Sequence, residues 1–334
     1  MKTKLNISTL VDLIVARAGT DTTQPDPNNL RVGWRTDQLL GDVDMLVINQ
    51  RNEPATYAEL VSRALRELKL SDDVSPEVIA LTELAVFRGK RLLPVNPSRG
   101  VVLDRLQEGL VKTINGLPDG PRKVRCQSLF EYNFGVFCTA YGRFELAARA
   151  QLRSAGMARS NGDIAGGTIG DFMSQFYTFK HELVQGQPDA ESKIAALRES
   201  YIRLVALVKG TAMEVPWGQG NGPWHMIEAC IWLDFRSPEW GVLVATYLAA
   251  AEKLGKAWEP AANLVRAVDS GDMAALREIV VDISQSNENR ATAFLALVQF
   301  NQVVSGSEIP SGIKTGAQHV CAVAERRLKG VMGS

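Results

Sequence analysis

The chain has 334 residues, 46% of them hydrophobic, and 37 basic residues against 37 acidic ones give a formal net charge of zero. That length supports one large domain or two ordinary ones with a substantial core, and the apolar share excludes a disordered chain. Four cysteines, Cys126, Cys138, Cys230 and Cys321, without CxxC pairing, and three scattered histidines, His181, His225 and His319, exclude a disulfide framework and a zinc knuckle.

In chain order, residues 1–13 carry two lysines and short apolar runs broken by Asn6, Ser8 and Asp12, so neither a signal peptide nor a membrane span is expected, and the protein reads as cytoplasmic, or as a virion component if viral. Residues 8–18 form a short helix closed by Gly19, and 19–29, with two prolines and no apolar period, form an extended arm. Such an arm can dock on a second copy of the chain or fold back on its own. Residues 45–48 are the one strand-like run, and they fit the end of a helix equally. A helix over 56–69 opens on a Thr56/Glu59 capping box, and Ser75-Pro76 opens the next.

Residues 88–100 and 115–125 read as two basic loops flanking a helix over 101–114. Two helices follow over 127–159, broken near Gly142, and 160–171 is the flexible-looking boundary between lobes. Helices are expected over 172–184, 189–208, 224–235, 238–254, 259–268, 272–283, 288–304 and 311–329. A Gly-rich loop over 210–223 holds Trp217, exposed for a ligand or tucked in, while Trp224, Trp232 and Trp240 read as core. The fold class is all-α: an N-terminal helix and arm (1–29), an N-terminal lobe (30–160) and a C-terminal lobe (161–334).

The neutral total conceals segregation. Residues 86–160 hold thirteen bases and five acids, against nine and thirteen over 1–85 and fifteen and nineteen over 161–334. Among those bases stand Phe87, Phe130, Tyr132, Phe134, Phe137, Tyr141 and Phe144. Cations neutralise phosphates and rings stack on nucleobases, so this mixture suits single-stranded nucleic acid, while buried aromatics beside a solvated basic face would give the same pattern. Arg88, Lys90, Arg91, Arg99, Arg122, Lys123 and Arg125 are the expected phosphate contacts. Arg143, Arg149, Arg153 and Arg159 form a second rank, and Tyr132 and Tyr141 are stacking platforms.

Phe134-Gly135, Gly142-x-Phe144 and Ala147 resemble one tetratricopeptide-type helix pair, in which small residues permit close helix contact. Arg159 stands where that family has proline, and Ile169 and His181 fall one repeat beyond Gly135 and Ala147, so no solenoid is expected. In layout, the chain resembles all-helical viral nucleoproteins and filamentous coat proteins. That resemblance implies sequence-independent coating of single-stranded RNA or DNA and self-association through terminal arms into an oligomer or filament.

A competing expectation is a helical protein-binding scaffold or adaptor, such as a toxin-neutralising immunity protein. Catalytic motifs are not apparent: Walker, HExxH, GxSxG and EF-hand patterns are missing, and no cofactor or metal is expected. Ser311/Lys314, His181-Glu182, His225 near Glu228, and Asp42/Asp44 are isolated pairs without third partners.

Overall fold

The computed structural model describes residues 6–19, 35–93, 97–186, 190–233, 236–282 and 285–300, together with Val323. Among them are fourteen α-helices and no strand, so the fold is all-α. The chain divides into two units, the first made of Met1–Asn133 and Arg153–Gly167, the second of Phe134–Leu152 and Thr168–Ser334.

In the first unit, α1 (Ile7–Gly19) buries Val11, Ile14 and Ala18, a stripe at helical spacing, and packs on α3 (Pro54–Leu68). The α3 helix turns Tyr57, Leu60, Val61, Ala64 and Leu68 inward. It opens two residues before the expected capping box: Pro54 presets the helical φ, and Glu53 occupies the N-cap without a side-chain bond. Ser75 does cap α4 (Pro76–Arg91), accepting from the Val78 N–H at 3.4 Å. The α3 and α4 helices pack closely because Gly89 faces α3, where an added Cβ would lie 3.0 Å from the Ala58 Cα and the Tyr57 ring. Burying residues such as Leu60 and Phe87 stabilises the unit by roughly 1.5–3 kcal/mol each.

The strand-like run takes its helical alternative: it continues α2 (Arg35–Asp44) as a π-helical segment, Met45–Gln50, with no strand among the described residues to pair with it. The two expected basic loops are instead largely helix ends: α4 extends through Arg91, α5 (Pro97–Asn115) starts at the second proline of the first loop, and α6 (Pro121–Ala140) starts at the second proline of the other. Proline opens each of these helices because the N–H it lacks is unpaired at that position anyway. The break near Gly142 is present, between α6 and α7 (Phe144–Ser160). Residues 164–171 are helical, not flexible, since α8 (Ile164–Val184) starts at Ile164 with Gly166 and Gly167 inside it. There Gly167 makes room for Arg159, whose Cγ would lie 2.5 Å from an added Cβ.

The second unit is organised around α10 (Gly222–Leu233), which is buried on nearly every side and contacts α9 (Ala190–Val208), α11 (Trp240–Leu254) and α14 (Asn287–Gln299). A helix apolar all round is a core helix. The expected Gly-rich loop is instead largely a π-helical segment, Glu214–Asn221, with Trp217 tucked in at 8% exposure. Trp224, Trp232 and Trp240 are core residues, as expected. The helices α12 (Glu259–Ser270) and α13 (Met273–Val281) complete the unit, α13 packing on α14. The arm over 20–29, the helix over 311–329 apart from Val323, and with it Ser311, Lys314, His319 and Cys321 lie outside the described residues.

Candidate functional site

In the first unit, α2 presents two carboxylates seven residues apart, Asp37 and Asp44, one helix face at about 10.5 Å spacing. Arg88, in the last turn of α4, donates from Nε and Nη2 to Asp44 at 3.0 and 2.8 Å. Burial opposes the guanidinium's charge, but Asp44 outweighs it and holds the Arg88 pKa above its ordinary value. Burial, then Asp44, pushes the Tyr57 hydroxyl upward. Arg125, near the start of α6, donates to Asp37 at 3.1 Å and to Asp163 at 3.4 Å. The Asp163 carboxyl is raised by burial, partly offset by the Gly166 N–H and Arg125.

The α2 helix thus brings together Arg88 from α4 and Arg125 from α6. Tyr132 lies close enough to Arg88 to act on its charge. Lys123 pairs with Asp119 at 2.9 Å, and Arg153 holds both oxygens of Glu131 at 2.9 and 2.8 Å. Lys90, Arg91 and Arg122 are half-buried, and Arg159 packs over Gly167. Arg99 sits in the first turn of α5, and its side chain lies outside the described residues.

In the second unit, Arg149 pairs with Glu145 at 2.6 Å. The Arg143 guanidinium stands 6.0 Å from the Tyr141 ring, which itself packs against Phe137 at 5.0 Å. Phe137 and Phe144 are core. Five of the candidate cations, Arg88, Lys123, Arg125, Arg149 and Arg153, are therefore held by carboxylates of their own chain.

Two further features of the second unit carry polar chemistry. One is a cleft of about 510 Å³ lined by Leu152 of α7, by Thr168, Asp171, Ser174 and Gln175 of α8, and by Ser200, Arg203 and Leu207 of α9. The Gln175 Oε1 is buried without a hydrogen-bond partner, Arg203 is exposed and forms no ion pair with a described residue, and Leu152 is 57% exposed. Sequence periodicity could not show this cleft, because its two polar rows belong to different helices.

The other is a buried charge cluster. Lys180 Nζ donates at 2.6 Å to Glu228 and at 2.6 Å to Glu288, inside a box formed by Phe144, Phe176 and Trp232. His225 Nδ1 stands 3.5 Å from the second oxygen of Glu228. Glu228 is a lone carboxylate in the apolar run GPWHMIEACIWL, and that was the available sequence signal for a buried partner. The ammonium, Glu228 and the aromatic box are all withdrawn from solvent, and the cluster reads as structural. Among the described residues no group of His, Cys, Asp and Glu could hold a metal ion, and no helix is long and apolar enough to cross a membrane.

No family model, curated protein or solved structure matches this chain.

Proposed function

We propose that this protein is a helical scaffold that binds a segment of a partner protein. The cleft of the second unit carries the reading: its volume falls in the ligand-pocket range of about 300–1,000 Å³, and it combines an unsatisfied buried acceptor, a cation without an ion pair among the described residues, and exposed leucines. Further support comes from the candidate phosphate contacts, because each paired arginine would have to exchange a carboxylate for a phosphate at little net gain in charge pairing. The test is to pan a displayed library of random peptides against the folded protein. A consensus whose synthetic version binds saturably to folded but not urea-unfolded protein is expected. Enrichment of no sequence over background counts against the scaffold.

Coating of single-stranded RNA or DNA with self-association is the second reading. What supports it is the arrival of Arg88 and Arg125 on one face of α2, with Tyr132 beside Arg88. It predicts that a labelled oligouridylate binds with affinity falling steeply between about 50 and 200 mM salt, with little dependence on base sequence. Salt-insensitive or absent binding rejects it.

A further inference from the structure

The polar lining of the second-unit cleft is arranged in two rows. Thr168, Asp171, Ser174 and Gln175 recur along α8 and Ser200, Arg203 and Leu207 along α9, the ends of each row lying seven residues apart. Seven helical residues rise about 10.5 Å, which is the length of about three residues of extended chain. A trough of that length suits a short extended segment better than a compact molecule.

The groups in the trough differ in what they still need. The buried Gln175 Oε1 lacks a donor, and an unsatisfied buried acceptor costs about 1–3 kcal/mol until one arrives. A peptide N–H is such a donor. Arg203 is the cationic residue of the cleft lining and forms no ion pair with a described residue, whereas Asp171 already has a partner. Leu152 and Leu207 offer apolar surface at the rim.

We infer that this cleft takes an extended acidic peptide segment, about three residues long, with a backbone N–H on Gln175 Oε1 and a glutamate or aspartate carboxylate on Arg203. The inference rests on the scaffold reading and gives that reading its ligand chemistry. Arg203 is the charge-selecting residue, and leucine-sized side chains of the ligand lie against Leu152 and Leu207.

The experiment uses the full chain and three fluorescein-labelled hexapeptides of alternating leucine with glutamate, glutamine or lysine, followed by anisotropy. The glutamate peptide is expected to bind at least tenfold more tightly than the other two. Arg203→Glu, at an exposed position where an unchanged circular dichroism spectrum is expected, should invert the order so that the lysine peptide binds best. Ser200→Trp, which fills the floor of the cleft, is expected to abolish binding of all three, and Leu152→Glu to weaken the glutamate peptide. Equal affinities for the glutamate and glutamine peptides, or no response to Arg203→Glu, overturn the inference. If panned peptides bind the protein but ignore Arg203→Glu and Ser200→Trp, the scaffold stands and the cleft is the wrong site. If neither panned nor designed peptides bind, the scaffold itself fails. Loss of oligouridylate binding in Arg203→Glu, with no peptide bound by the natural chain, likewise overturns the peptide assignment.

Discussion

The ammonium of Lys180 lies 2.6 Å from Glu228 Oε1, and neither side chain reaches solvent. A charge in that position is tolerable only while its partner remains. Lys180→Met keeps most of the volume within the aromatic box but leaves Glu228 buried with its lysine partner removed. The expected cost is about 3–5 kcal/mol, read as a fall in the urea midpoint. Lys180→Met combined with Glu228→Gln removes both charges and should recover a large part of that loss. A double variant no more stable than Lys180→Met would show that packing, not charge, is at stake.

Glu288 reaches the same ammonium from the surface, its side chain 46% exposed. Burial pushes its carboxyl up, but Lys180 outweighs that and lowers it from 4.5 to about 2. Its folded pKa is depressed, so its contribution is present above the unfolded value near 4.5 and is lost as pH falls toward 2. For Lys180, burial acts downward and the two glutamates prevail, raising it above 10.5. That stability is complete below 10.5 and is lost as pH rises past the raised value. Glu288→Gln should therefore flatten the loss of Tm between pH 4.5 and 2, by an amount that solvent screening at this half-exposed position keeps modest. An unchanged acid limb would remove Glu288 from the account.

Arg125, expected to contact phosphate, also has a structural duty between Asp37 and Asp163 at 13% side-chain exposure. Arg125→Glu would gather three carboxylates in one partly buried place, with an expected loss of about 3 kcal/mol. Arg149→Ala, by contrast, breaks a pair in which both side chains are more than half exposed, and should change stability by less than about 0.5 kcal/mol. Thermal melts of the two variants compare these outcomes directly. Similar Tm values would show that the Arg125 pairs contribute nothing.

Helical period made much of the fold legible. Leu60, Ala64 and Leu68 mark the inner face of α3, and the Ser75 cap and the break at Gly142 are local signals that tertiary contacts did not override. Glycine and charge misled. Gly89, Gly167 and Gly222 sit where a neighbour crowds the backbone, so they mark close contact inside helices where flexibility was expected. Net charge per segment located the basic residues but could not show that Asp37 and Asp44, outside that segment, neutralise two of them. Gln175 and Arg203 gave no local sign of their role, since only the packing of α8 beside α9 makes them neighbours of one cleft.

Three helix-to-helix turns share one geometry. Gly142, Gly162 and Gly271 take left-handed φ values of 67°, 80° and 68°. The residue after each glycine donates its N–H five residues back: Arg143 to Cys138, Asp163 to Ala158 and Asp272 to Ala267, at 2.9–3.0 Å. That residue is also the N-cap of the next helix. Asp163 accepts from the Gly166 N–H at 2.7 Å, and Asp272 accepts from the Ala274 and Ala275 N–H groups, both at 3.1 Å. Arg143 has no acceptor with which to do this, and it places a cation at the positive end of the α7 dipole. Arg143→Asp should cap α7 and stabilise the protein by about 1 kcal/mol. Against this stands the loss of an exposed contact with the Tyr141 ring, 6.0 Å away and worth about 0.5 kcal/mol. The check is a rise in the urea midpoint at unchanged slope, with Arg143→Ala as control for the lost ring contact. A midpoint for Arg143→Asp at or below that of Arg143→Ala would mean that the introduced carboxylate does not reach the first turn of α7.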